Sequence, residues 1–135
     1  MLPLMLAAAP FQAVAAEDAA VEAMREYLDF ASYDAGIILP EQLTKDVFEQ
    51  VLFVDTRDAG QYERGTIPGA VNIEWRQILA RRDELPTDRK VVLFCNTGTL
   101  SAQAAFALRV AGMDNVVVLQ TGIRGWLANA PYEPE

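Results

Sequence analysis

Histidine is absent from this 135-residue sequence, and cysteine occurs once, at Cys95. The first absence removes Cys-His and Ser-His-Asp catalytic pairs together with imidazole metal sites. The second removes any internal disulfide or thiolate zinc cage. Positive charge is also scarce: 11 Lys and Arg against 19 Asp and Glu leave a formal net charge of −8. Binding to nucleic acid needs clustered cations, so this balance argues against such a partner. The one basic cluster, Arg76, Arg81, Arg82, Arg89 and Lys90, is interrupted by acidic residues and reads as a solvated surface. Chemistry must therefore run on a thiol, carboxylates, hydroxyls, arginines and backbone amides, with no metal and no cofactor implied.

Charge is missing from the N-terminal stretch as well. MLPLMLAAAPFQAVAAE has no charged side chain before Glu17 and ends in small residues. Residues 1–16 read as the remainder of a truncated signal peptide, cleaved after Ala15 or Ala16, although its basic n-region is lacking. The competing reading is an N-terminal helix entering at Pro10. Export places the mature protein in the periplasm or outside the cell, against a cytoplasmic alternative. No other segment is long and apolar enough to span a bilayer.

The rest of the chain has the composition of a folded domain: 52% of all residues are hydrophobic and 22% charged, in a chain sized for one core rather than two. Residues 17–34 read as a helical extension and 35–132 as the domain proper. Four continuous apolar runs, 37–39, 51–54, 91–94 and 116–119, suit strands covered on both faces, as in parallel sheets. A weaker strand is expected at 70–73. Helices are expected over 40–50, opened by Pro40, and from Leu100 to Ala111, where Leu100, Ala104, Ala107, Leu108 and Ala111 form one small-residue face stopped by Gly112. The fold class is α/β, a mainly parallel central sheet of about five strands flanked by helices.

In such sheets ligands bind beyond the carboxyl ends of the strands. Asp55-Thr56-Arg57, Cys95 and Thr121-Gly122 stand at those ends. A free cysteine is often an inert packing residue. Here, though, it precedes a short polar loop, Asn96-Thr97-Gly98-Thr99, that feeds directly into a helix. Backbone N–H groups in such a turn converge on an anion, and the helix N-terminus adds its own donors. Sulfur at that focus is favoured as thiolate, the nucleophilic form. Thr99 or Ser101 is a candidate helix cap.

These residues resemble the rhodanese family of single-domain sulfurtransferases. Asp55-Thr56-Arg57, Tyr62, Gly65, Ile67-Pro68-Gly69-Ala70 and Asn72 resemble the family's first signature, with Thr66 where a histidine is usual. Val91–Ser101 resembles the active-site strand and loop, and LQTGIRGW, 119–126, the closing segment, with Thr121 in place of a glycine. The resemblance implies that Cys95 takes a sulfane sulfur from a small donor as a persulfide and passes it to cyanide, a thiol or a protein acceptor. Asn96, Thr97, Gly98, Thr99, Leu100 and Ser101 would form the substrate-binding loop. Asp55, Arg57, Trp75 and Arg124 are candidates for the pocket or its supporting shell. Arg57 is read chiefly as an ion-pair partner of Asp58 or Glu63, Arg124 as pocket rim or open surface, and Trp126 as core.

One departure stands out. Many active members carry a cation in the loop, and this loop carries none, which implies weak handling of dianionic thiosulfate and a less charged donor. Phosphatases and arsenate reductases need arginine six positions after the cysteine, and Ser101 stands there instead. A low-turnover persulfide carrier, sensor or binding module is the rival from another class.

Overall fold

The computed structural model describes residues 3–4 and 11–135. Much of the expected leader, residues 1–2 and 5–10, lies outside the described residues. Two compact units are present, Met1–Ala31 and Ser32–Glu135. In the first, helix α1 (Phe11–Phe30) covers most of the expected extension and runs through the expected cleavage site. Among the described residues no helix is long and apolar enough to cross a membrane.

The second unit is built on five strands: β1 (Ile37–Ile38), β2 (Leu52–Asp55), β3 (Val71–Asn72), β4 (Val91–Phe94) and β5 (Val116–Leu119). Every pairing is parallel, in the order β1-β5-β4-β2-β3. Period-two alternation explains why the runs are apolar throughout. Val92 and Phe94 of β4 join Phe53, Val117 and Leu119 in one cluster, with Leu43, Ile67, Ile123 and Trp126 packed over them. Val91 and Leu93 point the other way and meet Val54, Val116, Ala104, Ala105 and Leu108. Each face thus has its own core, and polar residues on the central strands would be buried on either side.

Helices α2 (Lys45–Gln50), α3 (Ala59–Arg64), α4 (Thr99–Val110) and α5 (Gly122–Asn129) complete the unit. The expected single helix over 40–50 is two pieces, a 3-10 turn at Pro40–Gln42 and α2. Fully buried Leu43 separates them at φ −85°, ψ 61°, because inserting its side chain into the core takes the backbone out of the helical path. Helix α3 is an element the sequence pattern does not announce; Asp58 caps it by accepting from the Gln61 backbone N–H at 2.9 Å and the Gln61 amide at 2.7 Å. Helix α4 ends where expected, with Gly112 at φ 101° just beyond it.

Candidate active site

Strand β4 lies between β5 and β2, so the residue after it emerges at the middle of the sheet's carboxyl edge. That residue is Cys95, only 4% exposed. The chain then turns through Asn96 and Thr97 to Gly98, whose φ of 103° is a left-handed conformation natural to glycine. This turn sends the Gly98 N–H back to the cysteine sulfur at 3.2 Å. One turn into α4, the Ser101 hydroxyl donates to the same sulfur at 3.3 Å, with the Gly98 carbonyl oxygen 3.1 Å away. Burial pushes the thiol's pKa up. The hydroxyl of Ser101 and the backbone N–H groups of Ser101, Gly98 and Thr97 pull it down, and together they prevail, leaving it below the ordinary value. The site therefore makes the thiolate easier to reach than in a free cysteine, without any imidazole.

Neither Thr99 nor Ser101 forms the side-chain cap expected of it. Gly98 is the cap residue and no side chain caps the helix. Ser101 is fully buried and turned to the sulfur instead.

Helix α5 fixes the loop from behind. The Ile123 N–H donates to the Cys95 carbonyl at 2.9 Å, and the Arg124 N–H to that of Asn96 at 3.2 Å. The approach is close enough that a Cβ on Gly122 would sit 2.5 Å from the Cys95 carbonyl oxygen. Thr121 enters α5 at φ 70°, a left-handed conformation rare for a β-branched residue.

Beside β4, the end of β2 carries Asp55, fully buried. Its carboxylate accepts from Arg57 Nε at 3.0 Å and Nη2 at 2.7 Å, from the Arg57 backbone N–H at 3.0 Å, and from Thr66 Oγ1 at 2.8 Å. The ion-pair partner of Arg57 is thus Asp55, not Asp58 or Glu63, because residues 55 and 57 face one another across the turn that ends the strand. Hydrogen bonding to Asp55 raises the guanidinium's pKa further; burial opposes it, and the charges of Asp55, Asp58 and Cys95 add to the rise. Arg57 also donates to the Gly65 carbonyl at 2.6 Å and reaches the loop, Nη1 to Asn96 Oδ1, at 3.3 Å. Asn96 in turn donates to Gln61 Oε1 at 2.8 Å. Asn72 ties the turn by donating to the carbonyls of Asp55 and Arg57, both at 3.0 Å.

A cleft of about 280 Å³ opens over the sulfur, lined by Cys95, Asn96, Thr97, Thr99, Leu100, Thr56, Arg57, Asp58, Gln61, Glu74, Trp75 and Arg76. Of the residues singled out in the sequence, Asp55 and Ser101 lie behind this lining, Gly98 reaches the sulfur through its N–H, and Trp75 stands in the wall. Arg124 is exposed on α5 and is not part of the cleft. Gln61, Glu74 and Arg76 belong to the cleft, and sequence reasoning misses all three. For Gln61 a signal exists, since Asp58 followed three residues later by Gln61 is a helix-start pattern.

The rhodanese-like domain profile matches residues 39–129. A sulfurtransferase of Allochromatium vinosum is 38% identical over 78 residues, covering 58% of this chain and 73% of that protein. A putative sulfur carrier protein of Bacillus subtilis, YrkF, is 30% identical over 81 residues, 60% of this chain and 44% of that protein. Among solved structures, a rhodanese-related protein from Thermoplasma volcanium aligns with TM-score 0.63 at 25% identity, over 70% of this chain and 93% of the other. A rhodanese-like domain protein from Staphylococcus aureus aligns with TM-score 0.60 at 25% identity, over 67% and 89%. Parallel sheet, strand-end cysteine and matched profile agree, and the chain belongs to the rhodanese family.

Proposed function

We propose that this protein is a sulfurtransferase in which Cys95 carries the sulfur. The thiolate attacks the outer sulfur of a donor, forming a new S–S bond as the donor's own bond to that sulfur breaks and its electron pair leaves with the rest of the donor. A thiophilic acceptor, cyanide or a thiol, then attacks the outer sulfur of the Cys95 persulfide and restores the thiolate. The covalent intermediate divides one transfer into two displacements. The N–H groups of the loop and the Ser101 hydroxyl are fixed before reaction, so they stabilise the anionic sulfur without reorganising.

The single observation that carries this reading is the pair of donors on Cys95 Sγ, Gly98 N–H and Ser101 Oγ, at the floor of an open cleft. The lack of a loop cation favours a persulfide or polysulfide donor over thiosulfate. The same lack favours, as a second reading, a carrier that holds a persulfide with little turnover. One experiment separates them: incubation with polysulfide, intact mass for one added sulfur, and thiocyanate formation with cyanide. Loss of loading in Cys95→Ser with turnover in the wild type supports the enzyme. A stable persulfide with negligible turnover supports the carrier, and identical behaviour of the two proteins refutes both. Export to the periplasm is part of the proposal, on the strength of the apolar leader; sequencing the N-terminus of secreted protein tests it, and retained Met1 counts against cleavage.

A further inference from the structure

The cleft's two arginines are differently engaged. Arg57 is committed to Asp55, to the Gly65 carbonyl and to Asn96. Arg76, on the 3-10 turn after β3, is held by Glu74 along one edge only: Nε donates to Glu74 Oε1 at 2.9 Å, and the Arg76 backbone N–H to Oε2 at 3.3 Å. Nη1 and Nη2 have no partner among the described residues, and the side chain is 74% exposed against 20% for Glu74. A guanidinium held along one edge, with its outer N–H groups unengaged, matches a carboxylate. Trp75, between these two residues, supplies an apolar wall in the same cleft as Cys95.

We infer that Arg76 determines donor specificity by binding a carboxylate on the carbon skeleton of a thiol persulfide while the outer sulfur reaches Cys95, with Glu74 as its positioning residue. The inference rests on the sulfur-transfer reading and narrows its substrate class. Thiosulfate places its charge on the transferred sulfur and on the sulfonate bonded directly to it, against the uncharged loop. A carboxylate-bearing persulfide places it several bonds away, at the rim where Arg76 stands. The chemistry balances as Cys95–S⁻ + R–S–S–H → Cys95–S–S–H + R–S⁻: one S–S bond forms, one breaks, and its electron pair leaves on the carrier thiolate.

The test compares N-acetylcysteine persulfide with the persulfide of N-acetylcysteine amide, which lacks only the negative charge. Wild-type protein is expected to load sulfur from the carboxylate donor about fivefold faster at sub-saturating concentration, the scale of an exposed charge-assisted contact. In Arg76→Gln the two rates become equal. Glu74→Gln narrows the ratio, with the change in KM and not in kcat, since the contact is made in ground and transition states alike. Arg82→Gln removes the same charge from a residue bonded to the Leu79 carbonyl outside the cleft, and leaves the ratio as in wild type. Equal rates in the wild type, or an undiminished ratio in Arg76→Gln, would overturn the role of Arg76 while leaving sulfur transfer intact. Failure of Cys95 to gain sulfur from either donor would overturn both.

Discussion

Replacing Gly122 with alanine introduces a methyl group where the start of α5 meets the loop after β4. Two costs add. At φ 63° the residue is left-handed, a conformation that costs an L side chain about 1–2 kcal/mol. The new Cβ would also lie 2.5 Å from the Cys95 carbonyl oxygen and 2.6 Å from the Asn96 carbonyl carbon and oxygen. These are backbone atoms, unable to swing aside like a flexible side chain. Relieving such overpacking costs roughly 1–3 kcal/mol. Gly69 provides the internal control, since it is also left-handed, at φ 85°, but a Cβ there meets nothing within 4 Å. Gly69→Ala should therefore cost about 1 kcal/mol and Gly122→Ala about 3 kcal/mol. In a domain of this size that is a fall in Tm of roughly 4–8 °C and of about 12 °C or more. Urea unfolding followed by tryptophan fluorescence, with thermal melts by circular dichroism, measures both. Equal losses in the two variants would refute the claim that α5 is packed against the cysteine's own backbone.

The site itself sets further outcomes. Ser101→Ala removes the side-chain donor to the thiolate, so the pH midpoint for alkylation of Cys95 by iodoacetamide should rise, with a several-fold slower reaction near neutrality; an unmoved midpoint would mean that the backbone donors suffice. Because folding lowers this thiol's pKa, its contribution to stability is full above the unfolded value and is lost as pH falls through the folded one, and that dependence should shrink in Ser101→Ala. Leu100→Arg places a cation on the exposed first turn of α4, and should raise thiosulfate:cyanide transfer about tenfold while changing polysulfide loading little.

The central strands are legible in the sequence because they are buried on both faces: the apolar runs 91–94 and 116–119 coincide with β4 and β5 to the residue, and 51–54 is displaced from β2 by one. Shorter elements are harder to read. Helix α3 has six residues and none of them buried, so hydrophobic periodicity gives no signal. The break at Leu43 lies hidden within a pattern that suits a helix, because what breaks it is a tertiary pocket for one side chain. At the site, Cys95 and its loop can be read from position alone. Ser101 is recognisable as a loop residue, but its task depends on the left-handed turn at Gly98, which brings helix position 101 over the sulfur. Arg57 is recognisable as an ion-pair former, yet its carboxylate is not the expected one. Proximity in sequence suggests Asp58, whereas Asp55 is the one enclosed with it, away from water. Arg76 and Glu74 come from a turn outside any motif, and only the folded chain brings them to the cleft.

The donors to Cys95 Sγ are a hydroxyl and backbone amides, and the Arg57 guanidinium, which feels the Cys95 charge, is already paired with a buried carboxylate. A thiolate held by fixed dipoles at hydrogen-bond distance has no mobile counter-ion to lose. Salt ions screen charges separated by solvent over a Debye length of about 8 Å at physiological ionic strength, and they cannot enter between the sulfur and the Gly98 N–H. The Cys95 thiolate should thus keep its reactivity from dilute buffer to brine, because its stabilising donors are part of the folded chain itself.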